Sequence, residues 1–584
     1  MTTTSTRRRT AQTGGSLRIG LFDPGMTALH RVGLAGLWLT LHAIEREHPG
    51  LKQELNGLGG AWMLSAHAVE LSWSGDGKGF FDRLIKESFR LTADGRFWFL
   101  GLGHPDSHQD LGTTLQAAVL DTFLQHGKTR SADPPTGPGG SLVLDVDDQA
   151  RTFRYRRVSA YAHQQAAREF RLDRPNVIAG WLLPGGVVRH VAFSNATALV
   201  EAPGAWLSLL YAPVGAIYFR VRRRTRGIRP QFCLVLPELD NLEAYERARR
   251  LFLSTPVRNL VVAGAADAGL RVLAELEAAD LLSTMTVARC HVIVFGIAPW
   301  SKQQRTRMDR FVVESTDPGQ LHLYRVAVQL LPPLLRPPRA SSWPDATGGA
   351  EGRRGRGGRR SRSDVALKTA DTEDAEETEE VESGTLWEIS PLLDLMARNL
   401  AGGQPWWRNI TGVIRTPDTW KQWRSYEITL AQRQPRATQT SPRGVAAVVV
   451  QPNAFEEPAH AAIVRACQEA WRRRLGALSA RARERGERFQ DLAERERERL
   501  RIAFAHCKNA DSLRAALVDF WSRAGPIPTL QERWRELLPY LGPERWQLTR
   551  DLALLALVSY AAPEEQSTST PPDSDGDTSS TAAS

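Results

Sequence analysis

Leu21-Phe-Asp-Pro-Gly-Met-Thr-Ala-Leu-His-Arg-Val-Gly-Leu-Ala-Gly-Leu-Trp-Leu39 decides how this chain folds. It reads as the end of a strand (Leu17–Phe22), a tight turn at Pro24-Gly25, and an apolar helix over Met26–Glu47 that carries Gly33 and Gly36. A glycine inside a helix costs roughly 1 kcal/mol relative to alanine. Two of them in one apolar helix call for compensation, and close approach of another backbone is the usual form it takes. His30, on the apolar face, reads as a helix-packing histidine rather than a ligand.

Working outward, residues 17–335 mix strands and helices in irregular order. Strands are expected at Leu142–Val146, Thr152–Val158, Val187–Phe193, Ala216–Val221, Phe232–Leu236, Val287–Phe295 and His322–Val328. Helices are expected at Gly79–Phe89, Asp110–His126, Leu242–Phe252 and Ala265–Ala279, and Phe97–Leu100 reads as the second arm of a hairpin turned at Ala93–Arg96. Without strict βαβ alternation, the pattern implies an α+β fold: a mixed, mainly antiparallel α/β N-terminal region followed by a C-terminal α-helical bundle.

The pattern breaks at 336–385. Gly352–Ser363 holds six arginines among glycines and serines, and Asp371–Glu382 holds eight acids. Neither block offsets chain entropy by burying apolar surface, so a disordered linker is expected. It reads either as a freely drifting spacer or as an Arg/Gly nucleic-acid arm. Residues 386–450 form a Trp-rich helical connector, with Trp406, Trp407, Trp420 and Trp423, and Val445–Val450 is β-prone. Residues 451–560 read as the bundle, one face carrying Phe489, Leu492, Ile502 and Phe504, another Leu513, Leu517, Phe520 and Trp521, and a later one Trp534, Leu537, Leu538 and Leu541. The stretches 1–15 and 561–584 read as disordered tails. Four organised or linking segments thus lie between the 1–15 tail and the acidic tail 561–584: 16–335, 336–385, 386–450 and 451–560.

The 584 residues carry a formal net charge of +10, and residues 561–584 contribute five acids and no Lys or Arg. The remainder is therefore more basic still, which favours a polyanionic partner. No apolar run approaches the length of a membrane span, and the N-terminus lacks a signal-peptide apolar region. Cys233, Cys290, Cys467 and Cys507 are widely separated, which suits a reducing cytoplasm and neither a disulfide framework nor a zinc site. No phosphate-binding loop, H-E-x-x-H, Cys-x-x-Cys or G-x-S-x-G pattern is present. His104 and His108 beside Asp106 and Asp110 read as a polar loop with a helix N-cap. No catalytic residue, metal or cofactor is expected, and the chain reads as a non-enzyme.

Arginine is what the sequence offers instead. Arg220, Arg222, Arg223, Arg224, Arg226 and Arg229 join two strand-like runs and are expected to project from a hairpin tip, as a phosphate grip or a solvated loop. Lys302, Arg305, Arg307 and Arg310 form a second group, either phosphate-directed or a charged face. Phe153 and Tyr155 alternate with Arg154 and Arg156, with the aromatics expected in the core. Between 471 and 501 there are eleven arginines, Arg472 and Arg473 among them, and six acids. That segment reads as a salt-bridged helix face or as a track for DNA. Two glycine-rich loops, Asn56–Gly60 and Ser74–Gly79 with Lys78, are able to approach a groove closely.

The blocks Asp23-Pro-Gly-Met and His30-Arg-Val-Gly-Leu-Ala-Gly36, with Arg550-Asp-Leu-Ala-Leu-Leu-Ala-Leu-Val-Ser-Tyr560, resemble the large subunit of type I CRISPR Cascade complexes of the MYXAN branch. The resemblance implies a non-catalytic subunit with an α/β N-terminal part and a small-subunit-like bundle. It implies recognition of the protospacer-adjacent motif (PAM) in target double-stranded DNA, stabilisation of the R-loop, and recruitment of the helicase-nuclease in antiviral defence. The implied partners are crRNA, the target DNA, the backbone, crRNA 5′-handle and small subunits, and the helicase-nuclease, with no membrane. Base pairing with the guide reads sequence in such a division of labour while protein reads the adjacent motif. The Arg/Gly linker departs from that pattern. Two further readings stay open: a standalone basic nucleic-acid-binding regulator or scaffold in a developmental (fruiting-body) programme, and a subunit of an RNA-guided transposition complex.

Overall fold

The computed structural model describes residues 14–123, 130–131, 139–184, 199–222, 231–282, 289–296, 307–314, 317–336, 386–433 and 442–560. The expected strand Val187–Phe193, nearly all of the 336–385 linker and the 561–584 tail lie outside them. The chain divides into two compact units. One takes the chain to Leu430 together with Gln451–Glu456, and the other takes Ala431–Val450 and the chain from Glu457 onward.

The first unit begins with β1 (Gly15–Gly20), which starts one residue inside the stretch expected as a tail. Helix α1 (Ala28–Glu47) follows, its N-terminus capped by Thr27, which accepts the His30 N–H. Glycine explains its packing. A methyl on Gly33 would lie 1.9 Å from the Ser208 carbonyl oxygen, and one on Gly36 would lie 2.2 Å from that of Tyr211. The contact is reciprocal, since a methyl on Gly215 would lie 1.9 Å from the Val32 carbonyl oxygen. The compensation expected for two helix-weakening glycines is therefore present as backbone against backbone.

After α2 (Pro49–Gly57), β2 (Gly60–Leu64) and β3 (Ala68–Trp73) complete a three-stranded antiparallel sheet in the order β1-β3-β2. Helix α3 (Lys78–Ser88) leads into the expected hairpin, β4 (Phe89–Leu91) with β5 (Phe97–Phe99). Helix α4 (Gln109–Thr122) precedes the hairpin of β6 (Gly140–Asp145) and β7 (Ala150–Tyr155), in which Phe153 and Tyr155 are buried and Arg154 exposed. Helix α5 (Pro203–Leu210) supplies the surface that α1 meets.

A five-stranded sheet follows. Its strands are β8 (Ile217–Val221), β9 (Gln231–Pro237), β10 (Val261–Val262), β11 (Arg289–Gly296) and β12 (Arg307–Glu314), with helices α6 (Leu242–Leu253) and α7 (Ala265–Ala278) between them. The order is β10-β8-β9-β11-β12, antiparallel except for the parallel β8–β10 pair. Beneath it, buried Asp267 accepts from Arg271 Nε at 2.7 Å, from the Ala263 N–H at 2.7 Å and from the Tyr324 hydroxyl. Burial works against charge on Arg271, yet its carboxylate partner outweighs this and keeps it cationic.

His322–Val328, expected as a strand, is the middle of α8 (Pro318–Leu330). Its alternation of apolar and polar residues imitates a strand, but Asp317 caps a helix by accepting the N–H groups of Gly319 and Gln320, and Pro318 occupies the first turn. Strands β13 (Leu334–Arg336) and β14 (Leu386–Glu388) pair, followed by α9 (Pro391–Ala401) and α10 (Pro417–Arg433). The tryptophans here are buried, and Trp406 Nε1 donates to the Ala454 carbonyl at 2.6 Å.

In the second unit, Val445–Val450, expected as β-prone, lies in α11 (Gly444–Val449), with Val445, Val448 and Val449 buried at helical spacing. Tertiary burial overrides β-branched preference here. Four further helices follow α12 (Pro458–Arg485): α13 (Phe489–Ala505), α14 (Ala510–Ala524), α15 (Pro528–Leu537) and α16 (Trp546–Val558). Of the face expected on α13, Leu492 and Phe504 are buried, while Phe489 and Ile502 are exposed. Ile502 precedes Phe504 by two residues, about 200° around the helix, so both cannot face one core. The architecture is α+β followed by a helical region, as the sequence implied.

Candidate nucleic-acid interface

The hairpin arginines are only partly described, and those that are do not project. Arg220 on β8 lies over the Phe232 ring, 5.9 Å from its centre, where burial pushes its guanidinium down to about 10 despite the influence of Asp121. Arg222 donates to the Ile389 carbonyl at 3.0 Å and to Asp394 at 3.1 Å. For these two the expected outward projection is corrected: each is committed to protein, Arg222 to an acid that is distant in sequence. Arg223, Arg224, Arg226, Arg229, Lys302 and Arg305 lie outside the described residues. Arg307 opens β12 opposite Gly296.

The two glycine-rich loops, which nothing in the sequence joined, are neighbours. The Ser74 N–H donates to the Gly59 carbonyl at 2.9 Å. Gly59, Gly75 and Gly77 all have positive φ, so the turns need glycine there. Lys78 stands exposed as the first residue of α3, its N–H bonded to Asp76 at 3.0 Å.

Among the described helices, α12 carries the largest excess of arginine over acid. It has seven arginines and two glutamates, and one of these, Glu469, is committed to Thr529 on α15, accepting from its N–H at 3.1 Å and its hydroxyl at 2.7 Å. Its inward face buries Ile463, Val464, Cys467, Trp471 and Leu478. Arg474 joins that side, pairing with Glu496 of α13 at 3.0 Å, and Arg499 takes the same carboxylate at 2.9 Å. Burial of Glu496 opposes its charge, but the hydrogen bonds from Arg499 and Arg474 hold it below the usual carboxylate range.

Arg465, Arg472, Arg473, Arg481 and Arg485 are exposed, and among the described residues no carboxylate pairs with them. Arg465, Arg472 and Arg483 are separated by seven and eleven residues, close to two and three whole turns, so they form one line about 27 Å long. Arg473 flanks it. Of the two readings of 471–501, α13 is laced with local pairs, Arg499–Glu496 and Arg501–Glu498, whereas the outer face of α12 is not.

No cluster of three or more potential metal ligands occurs among the described residues. His104 packs edge-on against Trp98, and Asp106 is held by Arg96 at 2.6 Å. His108 sits at the N-terminus of α4 without making a side-chain cap, so the expected cap is absent. His30 Nδ1 meets Thr27 Oγ1 at 2.8 Å, consistent with a packing role. All four cysteines are free and buried.

The N-terminal domain of the DevT family matches residues 18–210, and its C-terminal domain matches residues 451–583. The CRISPR-associated protein Cas8a1/Csx13 of Myxococcus xanthus (strain DK1622) is 27% identical over 566 residues, covering 93% of this chain and 88% of that protein. The chain is a relative of the myxobacterial-type CRISPR large subunits. The likeness runs through both units, including the segment between the two DevT matches, and places α1 in the N-terminal DevT domain and the arginine line of α12 in the C-terminal one. No described helix is long and apolar enough to cross a membrane.

Proposed function

We propose that this chain serves as the non-catalytic large subunit of a type I crRNA-guided surveillance complex, in which the outer face of α12 holds a nucleic-acid backbone. The observation that carries the reading is the line of Arg465, Arg472 and Arg483 with Arg473 beside it, exposed and, among the described residues, without carboxylate partners. Arginine forks of this kind recognise phosphate oxygens and give affinity without reading sequence. The name of the M. xanthus relative supports the setting. Within it, target-DNA opening and R-loop stabilisation fall to the basic helical unit. PAM contact falls to the adjoining glycine loops at Gly59 and Gly75–Lys78, where Gly75 has open space beside its backbone and Lys78 is exposed. Docking of the helicase-nuclease and contact with crRNA and the other subunits complete the role.

The test is binding of single-stranded and double-stranded DNA by the full chain as a function of salt. Replacing Arg465, Arg472 and Arg473 together with alanine lowers affinity and shallows the slope of log K against log salt by about 2 on single strands, roughly 0.7 for each lost phosphate contact. An unchanged slope removes α12 from the interface. Purification of the tagged chain from its host brings down crRNA and further subunits. A chain that is solitary in the cell and indifferent to DNA at low salt overturns the reading as a whole.

A further inference from the structure

A cleft of about 510 Å³ opens in the first unit between the second half of α1, the 100–108 loop and α6. Its size is that of a small-ligand site. Its lining includes Arg46, Trp98, His104, His108, Arg249 and Arg250. Arg249 is 1% exposed, and among the described residues only its Nη2 has a partner, the Ala216 carbonyl at 3.2 Å; Nε and Nη1 have none there. A buried cation left in this state is costly unless an opposite charge reaches it. Glu246, one turn back on the same helix, does not serve: it pairs with Arg250 at 2.5 Å and faces His42 at 4.0 Å. The tyrosines beside Arg249 donate elsewhere, Tyr218 to the Pro213 carbonyl and Tyr245 to that of Gly215.

Among the described residues, the one other buried polar atom of the lining without a partner is Trp98 Nε1. Each buried polar atom of the lining without a partner is thus an N–H donor; of the two carboxylates in the lining, Glu246 is taken by Arg250 and Glu47 is exposed, so an incoming anion would complete the buried donors. The volume exceeds that of a bare phosphate, and the Trp98 and His104 rings, 4.6 Å apart at their centres, offer an aromatic wall beside the cations. We propose that this cleft binds a nucleotide through its phosphate monoester, with Arg249 as the buried anchor and Arg46 at the rim. The inference stands apart from the DNA-binding role assigned to α12. The same chemistry is presented by a free nucleoside 5′-monophosphate and by the 5′-phosphorylated end of a strand.

The experiment is calorimetric titration of the full chain with AMP, adenosine, inorganic phosphate, and an oligonucleotide bearing either a 5′-phosphate or a 5′-hydroxyl. AMP or the 5′-phosphorylated strand binds at least tenfold more tightly than adenosine or the 5′-hydroxyl strand, respectively. A tighter strand than AMP assigns the strand end as the ligand, and the reverse order assigns the free nucleotide. Arg249→Met lowers the affinity at least tenfold. Because that residue is buried, Ser107→Trp is the companion variant: it fills the exposed mouth, leaves the guanidinium in place, and abolishes binding. The α12 triple-alanine variant retains AMP binding. Equal binding of AMP and adenosine, no heat from any phosphate compound, or full binding by folded Ser107→Trp overturns the proposal.

Discussion

In the first unit, Arg222, Arg249 and Arg271 turn into protein, and two of them meet a carboxylate there. On α12 of the second unit, Arg465, Arg472 and Arg473 stand in solvent with no acid opposite them among the described residues. The residue type is the same, but its energetic meaning differs. An arginine inside a fold is tied to the stability of its partner, since either charge alone would be stranded in a medium of low polarity. An arginine on an exposed helix face contributes little to stability and is available to an incoming phosphate. Net charge counts both kinds equally, so it overstates the area of the first unit open to a polyanion.

The sharpest break between the two kinds is Asp267→Asn. It leaves Arg271 buried and charged beside a neutral amide, and puts an NH2 group, which cannot accept, in place of one of the two oxygens that take the Ala263 N–H, Arg271 Nε and the Tyr324 hydroxyl. The expected loss is about 3–5 kcal/mol, read as a lowered denaturant midpoint of the full chain. A loss below about 1 kcal/mol would mean that this network does not hold α7 to α8.

A smaller effect comes from a group that burial keeps neutral. His163 is fully buried among Phe89, Tyr161 and Trp181, its two ring nitrogens unpartnered, and desolvation pushes it down to about 3. The unfolded chain takes up this proton below about pH 6.5, and the folded chain does not until about 3. Stability therefore falls as pH falls, by about 2 kcal/mol from this group between neutrality and pH 5. His163→Leu removes that component, and identical pH slopes for the two proteins would refute it. The smallest effect belongs to the outward set: Arg465, Arg472 and Arg473 changed to alanine shift unfolding by less than about 0.5 kcal/mol per site, by the same denaturant assay. A larger loss would show that these side chains hold the bundle together.

The contrast also explains what could be read from sequence. Helix α1 was legible because the penalty of Gly33 and Gly36 is local and demands a neighbour, although the sequence could not say that the neighbour is Ser208–Gly215. The helices of 451–560 were legible from their apolar spacing. The inward turn of Arg222 was not, because Asp394 lies 172 residues away and charge density along the chain carries no record of it. The same holds for the adjoining Gly59 and Gly75–Lys78 loops and for the cleft at Arg249, which combines α1, α6 and the 100–108 loop. At His322–Val328 two local signals conflicted, and the Asp317-Pro318 cap prevailed over an alternating pattern.

The interlocking of Gly33 and Gly36 with Ser208–Gly215 has a consequence for synthesis. Helix α1 leaves the ribosome long before its counterpart exists. At 5–20 residues per second, translation from Gly36 to Gly215 lasts roughly 10–35 s. Through that interval a strongly apolar segment has no permanent cover, which makes the nascent chain a natural client for chaperones that shield hydrophobic helices.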